Sequence, residues 1–389
     1  ILAGTGTIAL VYVIGSRCYD RVVGFTAAAF LSLTVLHIQL CHYGTFDVVL
    51  AFFIVLALNF FERVQSRGTW WAYIFSGFAV GAGIASKFSA LPLAFLFILP
   101  HLLYLASLRR DKNTSGGLLW GRFAMAWVKL AAAVLIGLGT VYVLEPFAFI
   151  DSETFWRSIN EQRRMATGQS ILPYTNQYLN TMPYFYPLKQ LLLRGFGLPL
   201  GLIILPGCIY ALLKLFRRSH PATLLLAGWL VPSYFVYGGF QVKYPRYFVT
   251  LVPVMCILGA VFIVDLIRTG RGLRLPGPIL LKNLQARTVR KFAAWSLLFV
   301  LVATGIYAYS FIQIYHRPHT WVVASDWIYR NIPKGSRILS EHWDDKLPLG
   351  LPERTDPRTG ERLPSNDAGR MGYQTAELKV YDWPDTPGK

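Results

Sequence analysis

The sequence predicts a mainly α protein: a polytopic transmembrane helical bundle followed by a small mixed α/β extracytoplasmic segment. Three observations carry this. Of the 389 residues, 54% are hydrophobic and only 15% charged, a balance too apolar for ordinary soluble domains. Apolar runs able to cross a bilayer core of roughly 30 Å recur along most of the chain, broken by short loops that carry Arg, Lys, Pro or Gly. From His316 onward the composition turns polar, with 11 Lys+Arg against 11 Asp+Glu.

About ten spans are read, at residues 1–16, 22–40, 48–61, 70–86, 88–108, 123–144, 196–216, 222–240, 247–267 and 292–315. The first is short for a crossing and opens at Ile1 without Met, basic leader or cleavage site, so the chain is expected to lack its natural N-terminus. Alternating the spans brings together Arg17 and Arg21, Arg63 and Arg67, Arg109, Arg110, Lys112 and Arg122, then Lys214, Arg217 and Arg218, and the loop 268–291. That set holds 18 basic and 3 acidic residues. A basic excess in short loops marks the cytoplasmic side. The remaining loops, and the tail after residue 315, are then extracytoplasmic, as in a multi-pass protein of the plasma membrane. The net charge of +18 lies between spans rather than on one basic face, which excludes nucleic acid as a partner.

The outer stretch 146–195 opens with Asp151 as a helix cap, and Phe155, Trp156 and Ile159 follow at near-helical spacing, as in a helix lying at the membrane surface. The run ILPYTNQYLNTMPYFYP then sets Tyr174, Gln177, Tyr178, Tyr184 and Tyr186 in a Pro-broken loop. Such aromatic and amide groups suit a sugar or a lipid headgroup, and they equally suit an interfacial aromatic belt. The domain division is expected at 315/316. Beyond it the sequence predicts a helix near 324–331, a PKGS turn and a strand at RILS, and the end, DWPDTPGK, reads as an interrupted loop.

Sugar transfer from a lipid phosphate needs a carboxylate to take the acceptor's proton and cations to hold the departing phosphate. On the outer side, HYGTFD supplies His42, Tyr43 and Asp47, and Asp47 could also serve as a helix N-cap. Lys87 ends one span, where an ammonium either snorkels or meets an anion. Lys243, Tyr244 and Arg246 open another, with Arg246 suited to a phosphate or to an interfacial anchor. Asp47, Lys87 and Arg246 have no partner evident in sequence, and they are expected to converge on one outer-leaflet pocket. SEHWDD, with Glu341, His342, Asp344 and Asp345, matches no helical zinc spacing, so no metal site is assigned. The four cysteines show neither pairing nor CxxC spacing. No Walker loop, dinucleotide fingerprint or nucleophile elbow occurs.

In HYGTFD, GAGIASKFSALPLA, LPYTNQYLNTMPYFYP, KYPRYFVTLVP and ASDWIYRNIPKGSRILSEHWDDKLPL, the chain resembles the dolichyl-phosphate-mannose protein mannosyltransferase-like, phospholipid-carrier-dependent glycosyltransferases of the GT-C class. The resemblance implies a hexosyl- or pentosyltransferase that moves a sugar, with inversion, from a polyprenyl-phosphate carrier to a protein, lipid or glycan acceptor outside the cytoplasm. It also implies a principal acidic motif in the first outer loop, expected upstream of Ile1, and it places Asp47 at the second acidic position. His42, Tyr43, Lys87, Tyr174, Gln177, Tyr178, Lys243, Tyr244 and Arg246 are the expected substrate-binding residues. A divalent cation is left open as a cofactor. The competing classes are a polytopic transporter or lipid flippase, and a catalytically silent scaffold. A transporter would place ionisable groups and broken helices at mid-membrane, whereas here the notable polar residues gather at one face.

Overall fold

The computed structural model describes residues 1–110, 116–170, 173–217, 220–270, 279–341, 346–355, 360 and 362–378. They form two compact units, Ile1–Ala308 and Tyr309–Lys389. Among the described residues the regular elements of the first unit are all helices. Its elements are α1 (Leu2–Cys18), α2 (Arg21–Ser32), α3 (Val35–Tyr43), α4 (Phe46–Arg67), α5 (Trp70–Ser86), α6 (Pro92–Leu96), α7 (Ile98–Arg110), α8 (Gly116–Leu144), α9 (Phe147–Ile150), α10 (Ser152–Ala166), α11 (Phe185–Gln190), α12 (Leu198–Arg217), α13 (Pro221–Gly239), α14 (Val252–Thr269) and α15 (Ile279–Ile312, which runs on into the second unit). Short 3-10 turns at Phe88–Ala90, Pro173–Tyr178 and Pro245–Phe248, and a π turn at Leu191–Gly195, join them.

Among the described residues, six helical segments are long and apolar enough to cross a membrane, or seven if α2 and α3 count as one broken span. The expected span 22–40 is this pair, bent by 58°. The bend has a local cause: the Ser32 hydroxyl donates to the Ala29 carbonyl at 2.9 Å and Thr34 to Phe30 at 2.8 Å, and such back-bonding competes with the helical ladder. Helix α14 sits at the centre of the unit, with every residue from Val252 to Gly259 buried, as expected of a helix apolar on all sides. At the periphery, α8 exposes Leu135 and Leu138, and α15 exposes Phe299 and Val302. Apolar surface on that scale belongs in lipid, and the protein is an integral membrane protein.

Glycine sets how closely α5 and α8 approach. A Cβ on Gly77 would collide with the carbonyl oxygen of Ala133, and one on Gly81 with that of Gly137, the close backbone contact that small residues permit between membrane helices. Gly77→Ala is therefore expected to cost about 1–3 kcal/mol through overpacking. Gly121→Ala, on α8 where nothing lies within 4 Å, should instead be neutral or stabilising. Thermal unfolding of the two variants measures the difference, and equal shifts would contradict the packing account.

Charge sorts to opposite ends of the bundle. At one end Arg17 meets Glu62 at 3.8 Å, Lys214 meets Asp265 at 3.1 Å and Arg268 pairs with Asp20. Asp20 also caps α2 by accepting from the amides of Val22 and Val23. These contacts, the Arg268 guanidinium foremost, hold the Asp20 carboxyl below the ordinary carboxylate range. The other end carries Asp47, Lys87 and the connection from α13 to α14.

The second unit holds α16 (Thr320–Asn331), β1 (Arg337–Glu341), β2 (Arg354–Thr355), β3 (Arg362–Leu363) and β4 (Gln374–Leu378). Strand β1 pairs in parallel with β4, and β2 antiparallel with β3. The expected helix and the RILS strand correspond to α16 and β1. Tyr329 and Tyr373 stack at 6.2 Å over Leu351 as the core of this unit. Of the SEHWDD residues, His342, Asp344 and Asp345 lie outside the described residues, as do the C-terminal DWPDTPGK residues.

Candidate functional site

The site begins at the turn between α3 and α4. Gly44, at φ +63°, takes the left-handed conformation that lets α3 end and the chain reverse within two residues. Thr45 then occupies the N-cap position of α4. Asp47 is thus not the cap. It lies in the first helical turn, where the helix dipole favours a negative charge, and only 5% of its surface is exposed.

Its partner comes from 40 residues along the chain. Lys87 ends α5 in an extended conformation, φ −165° and ψ 126°, which turns its side chain out of the helix line. The Lys87 ammonium donates to Asp47 Oδ1 at 2.6 Å. Neither residue has a partner near it in sequence, and in the fold the two partner each other. The pair is asymmetric: the Asp47 side chain is 6% exposed and that of Lys87 35%, so the cation reaches the protein surface while the carboxylate is buried. Phe88, the next residue, packs edge-on against Phe155 and Trp156 of α10 at 6.2 and 5.4 Å, and the amphipathic surface helix is thereby anchored beside the ion pair.

Arg246 reaches the same place through Tyr247. The Lys87 ammonium stands 5.0 Å from the centroid of the Tyr247 ring and the Arg246 guanidinium 5.8 Å from it, so two cations share one aromatic platform. Arg246 also lies 4.9 Å from the centre of the Tyr244 ring, and it is solvent-exposed. The Tyr237 hydroxyl, from α13, points to the Ser89 carbonyl at 3.5 Å. The geometry therefore holds a buried carboxylate against Lys87, whose ammonium shares the Tyr247 ring with the exposed Arg246 guanidinium, an arrangement suited to an anion held by two cations near a reacting group.

The other expected residues divide. Tyr178 is buried and packs edge-on against Tyr244 at 5.2 Å and Tyr186 at 6.0 Å. The Tyr174 hydroxyl meets the Met165 sulfur at 3.4 Å, and the Gln177 amide donates to the Tyr174 carbonyl at 3.0 Å. His42 and Tyr43 are exposed at the lip of the α3–α4 turn, with His42 Nδ1 2.9 Å from the Ile38 carbonyl. Lys243 does not join the Asp47 group in any described contact. It is 1% exposed and donates to Thr181 Oγ1 at 3.1 Å and to the Gln241 carbonyl at 3.0 Å. Burial holds its ammonium below the usual lysine value, and it pins the loop at Thr181 to the α13–α14 connection. Tyr247, the shared platform, was not singled out from sequence; its position directly after Arg246 was the available signal. Among the described residues no group of three or more His, Cys, Asp or Glu side chains could hold a metal ion.

Comparison with known proteins adds the following. The family model for dolichyl-phosphate-mannose-protein mannosyltransferase matches residues 1–140, a stretch that contains Asp47 and Lys87 and ends within α8. Over that stretch the chain is mannosyltransferase-like, in agreement with the resemblance seen in its motifs. No curated protein sequence matches the chain. Among solved structures, the Archaeoglobus fulgidus oligosaccharyltransferase in the apo form is 15% identical, covers 86% of this chain and 47% of its own, and gives a TM-score of 0.48. The AglB enzyme of the same organism, in complex with an inhibitory peptide and a dolichol-phosphate, is 16% identical over 85% of this chain and 46% of its own, with a TM-score of 0.48. ArnT from Cupriavidus metallidurans, bound to undecaprenyl phosphate, is 16% identical over 88% of this chain and 68% of its own, with a TM-score of 0.49. The chain spans about half the length of the archaeal structures it matches.

Proposed function

We propose that this protein is a membrane glycosyltransferase that moves a sugar, with inversion, from a polyprenyl-phosphate carrier to an acceptor on the extracytoplasmic side. The observation that carries the reading is the Lys87–Asp47 contact of 2.6 Å together with the Tyr247 ring that Lys87 and Arg246 share. The mannosyltransferase family match over residues 1–140 supports the same class. In the proposed reaction the carrier phosphate draws the Lys87 ammonium and the Arg246 guanidinium to its oxygens, and the Asp47 carboxylate is released from Lys87. The acceptor oxygen then bonds to the anomeric carbon as the bond from that carbon to the phosphate oxygen breaks. The acceptor's proton passes to Asp47, and the electron pair leaves with the phosphate, which the two cations hold.

Full-length protein in liposomes, supplied with labelled polyprenyl-phosphate sugar and a panel of acceptors, tests this. Carrier phosphate should appear in step with glycosylated acceptor. A lipid flippase would instead move the intact labelled lipid between leaflets without cleaving it, and that result would sink the transferase reading.

The sidedness is tested separately. In a cysteine-free background, Glu153→Cys on α10 should react with an impermeant thiol reagent added from outside intact cells, whereas Arg63→Cys at the basic end should react only after permeabilisation. The reverse pattern would place the Asp47 group on the cytoplasmic side.

A further inference from the structure

Beside the Asp47 group lies a second cleft that the proposed reaction does not use. Its volume is about 260 Å³, and its wall includes Gln39 of α3, Gln177 and Tyr178 of the 3-10 turn, Tyr186 and Gln190 of α11, and Arg194. Tyr178 connects the two places, because its ring packs at 5.2 Å against Tyr244, whose ring in turn lies 4.9 Å from the Arg246 guanidinium.

The lining is specific in chemistry. Gln177 already donates to the Tyr174 carbonyl and Gln39 to the Tyr43 hydroxyl at 3.5 Å, but a glutamine amide has two N–H donors and a carbonyl acceptor, so the three together can still meet ring hydroxyls in either sense. The two phenols add flat faces with polar tips. The volume falls just below the roughly 300–1,000 Å³ of common small-molecule sites, which leaves room for one sugar ring. No Asp or Glu lines the cleft, and the Arg194 side chain has no carboxylate partner among the described residues. Arg194 lies within the π turn Leu191–Gly195, a rare backbone form that gathers at functional sites. Its carbonyl is fixed by the Tyr307 hydroxyl at 3.2 Å.

We infer that this cleft is the subsite for one hexose-sized ring bearing an acidic substituent, carboxylate or phosphate, with Arg194 pairing the acid. The inference rests on the glycosyltransferase reading and specifies its substrate. The acidic ring belongs either to the carried sugar or to the acceptor glycan, since both present the same chemistry.

Titration of full-length protein in detergent with glucuronic acid, glucose 6-phosphate and glucose, read by ligand-observed NMR, tests the assignment. The two acids should bind about tenfold more tightly than glucose, the lower end of what a charge-assisted hydrogen bond supplies. Arg194→Ala should abolish that margin while glucose binding and polyprenyl-phosphate binding stay unchanged. Arg194→Lys should retain part of the margin. Equal binding of acid and neutral sugars, or an acid preference that survives Arg194→Ala, would overturn the proposal, as would displacement of glucuronic acid by a neutral Ser/Thr peptide. Repeating the titration with a neutral-sugar polyprenyl-phosphate donor bound separates the sources: continued binding marks the acceptor's ring, and competition marks the donor's. Intact transfer activity with a failed titration would reject this subsite alone, whereas absent transfer with a successful titration would reject the transferase reading alone.

Discussion

Asp47→Asn in the full-length protein is expected to lower turnover by about 10²- to 10⁴-fold, the range of a positioned general base. The side chain keeps its size but loses the charge and the ability to take a proton. The fold should survive the change, because the Lys87 partner left behind is 35% exposed on its side chain and reaches water. Carrier affinity should hold or improve, since removing the carboxylate removes a repulsion from the lipid phosphate and frees Lys87. A fall confined to kcat, with KM for the carrier unchanged or lower, is the pattern of an interaction used in the transition state. Normal turnover would leave Asp47 as a structural partner of Lys87.

Arg246→Ala should act in the opposite way, weakening carrier binding by about 10- to 100-fold, the value of a hydrogen bond to a charged group, with a smaller effect on stability because Arg246 is exposed. Arg246→Lys should recover little of the loss, because the guanidinium lies over two rings, those of Tyr244 and Tyr247, and a compact ammonium reproduces neither the stacking nor a bidentate contact. Lys87→Ala is a harsher change. It strands the Asp47 carboxylate, whose side chain is 6% exposed, and an unpaired buried charge costs about 3–5 kcal/mol. A lost binding signal in that variant therefore has to be read beside its thermal unfolding.

Much of the architecture was legible in the chain because hydrophobic length and the placement of Arg and Lys are one-dimensional signals. The runs that became α8, α12, α13 and α14 announce themselves, and the basic residues Arg17, Lys214 and Arg268 do collect at one end. The bend between α2 and α3 was hidden, since it depends on whether the Ser32 and Thr34 hydroxyls turn back on their own helix, and a polar residue within an apolar run does not say so. At the site, residue types were readable but contacts were not. Asp before an apolar helix suggests a cap, and only the fold shows that Thr45 holds that position while Asp47 meets a lysine 40 residues on. Lys243 and Arg246 look alike in KYPRYF, yet one is buried against Thr181 and the other is exposed beside Tyr247. Gln39, Gln190 and Arg194 escaped notice because the wall that α3, α11 and the π turn give this cleft has no motif of its own.

The central claim is that Asp47 and Arg246 serve one carrier phosphate in different capacities, and equilibrium binding of a polyprenyl phosphate to full-length wild-type, Asp47→Asn and Arg246→Ala proteins tests it most directly. The expected order of affinity is Asp47→Asn equal to or tighter than wild type, with Arg246→Ala weaker by about tenfold or more. Equal affinity in all three, or a loss in Asp47→Asn as large as that in Arg246→Ala, would contradict it.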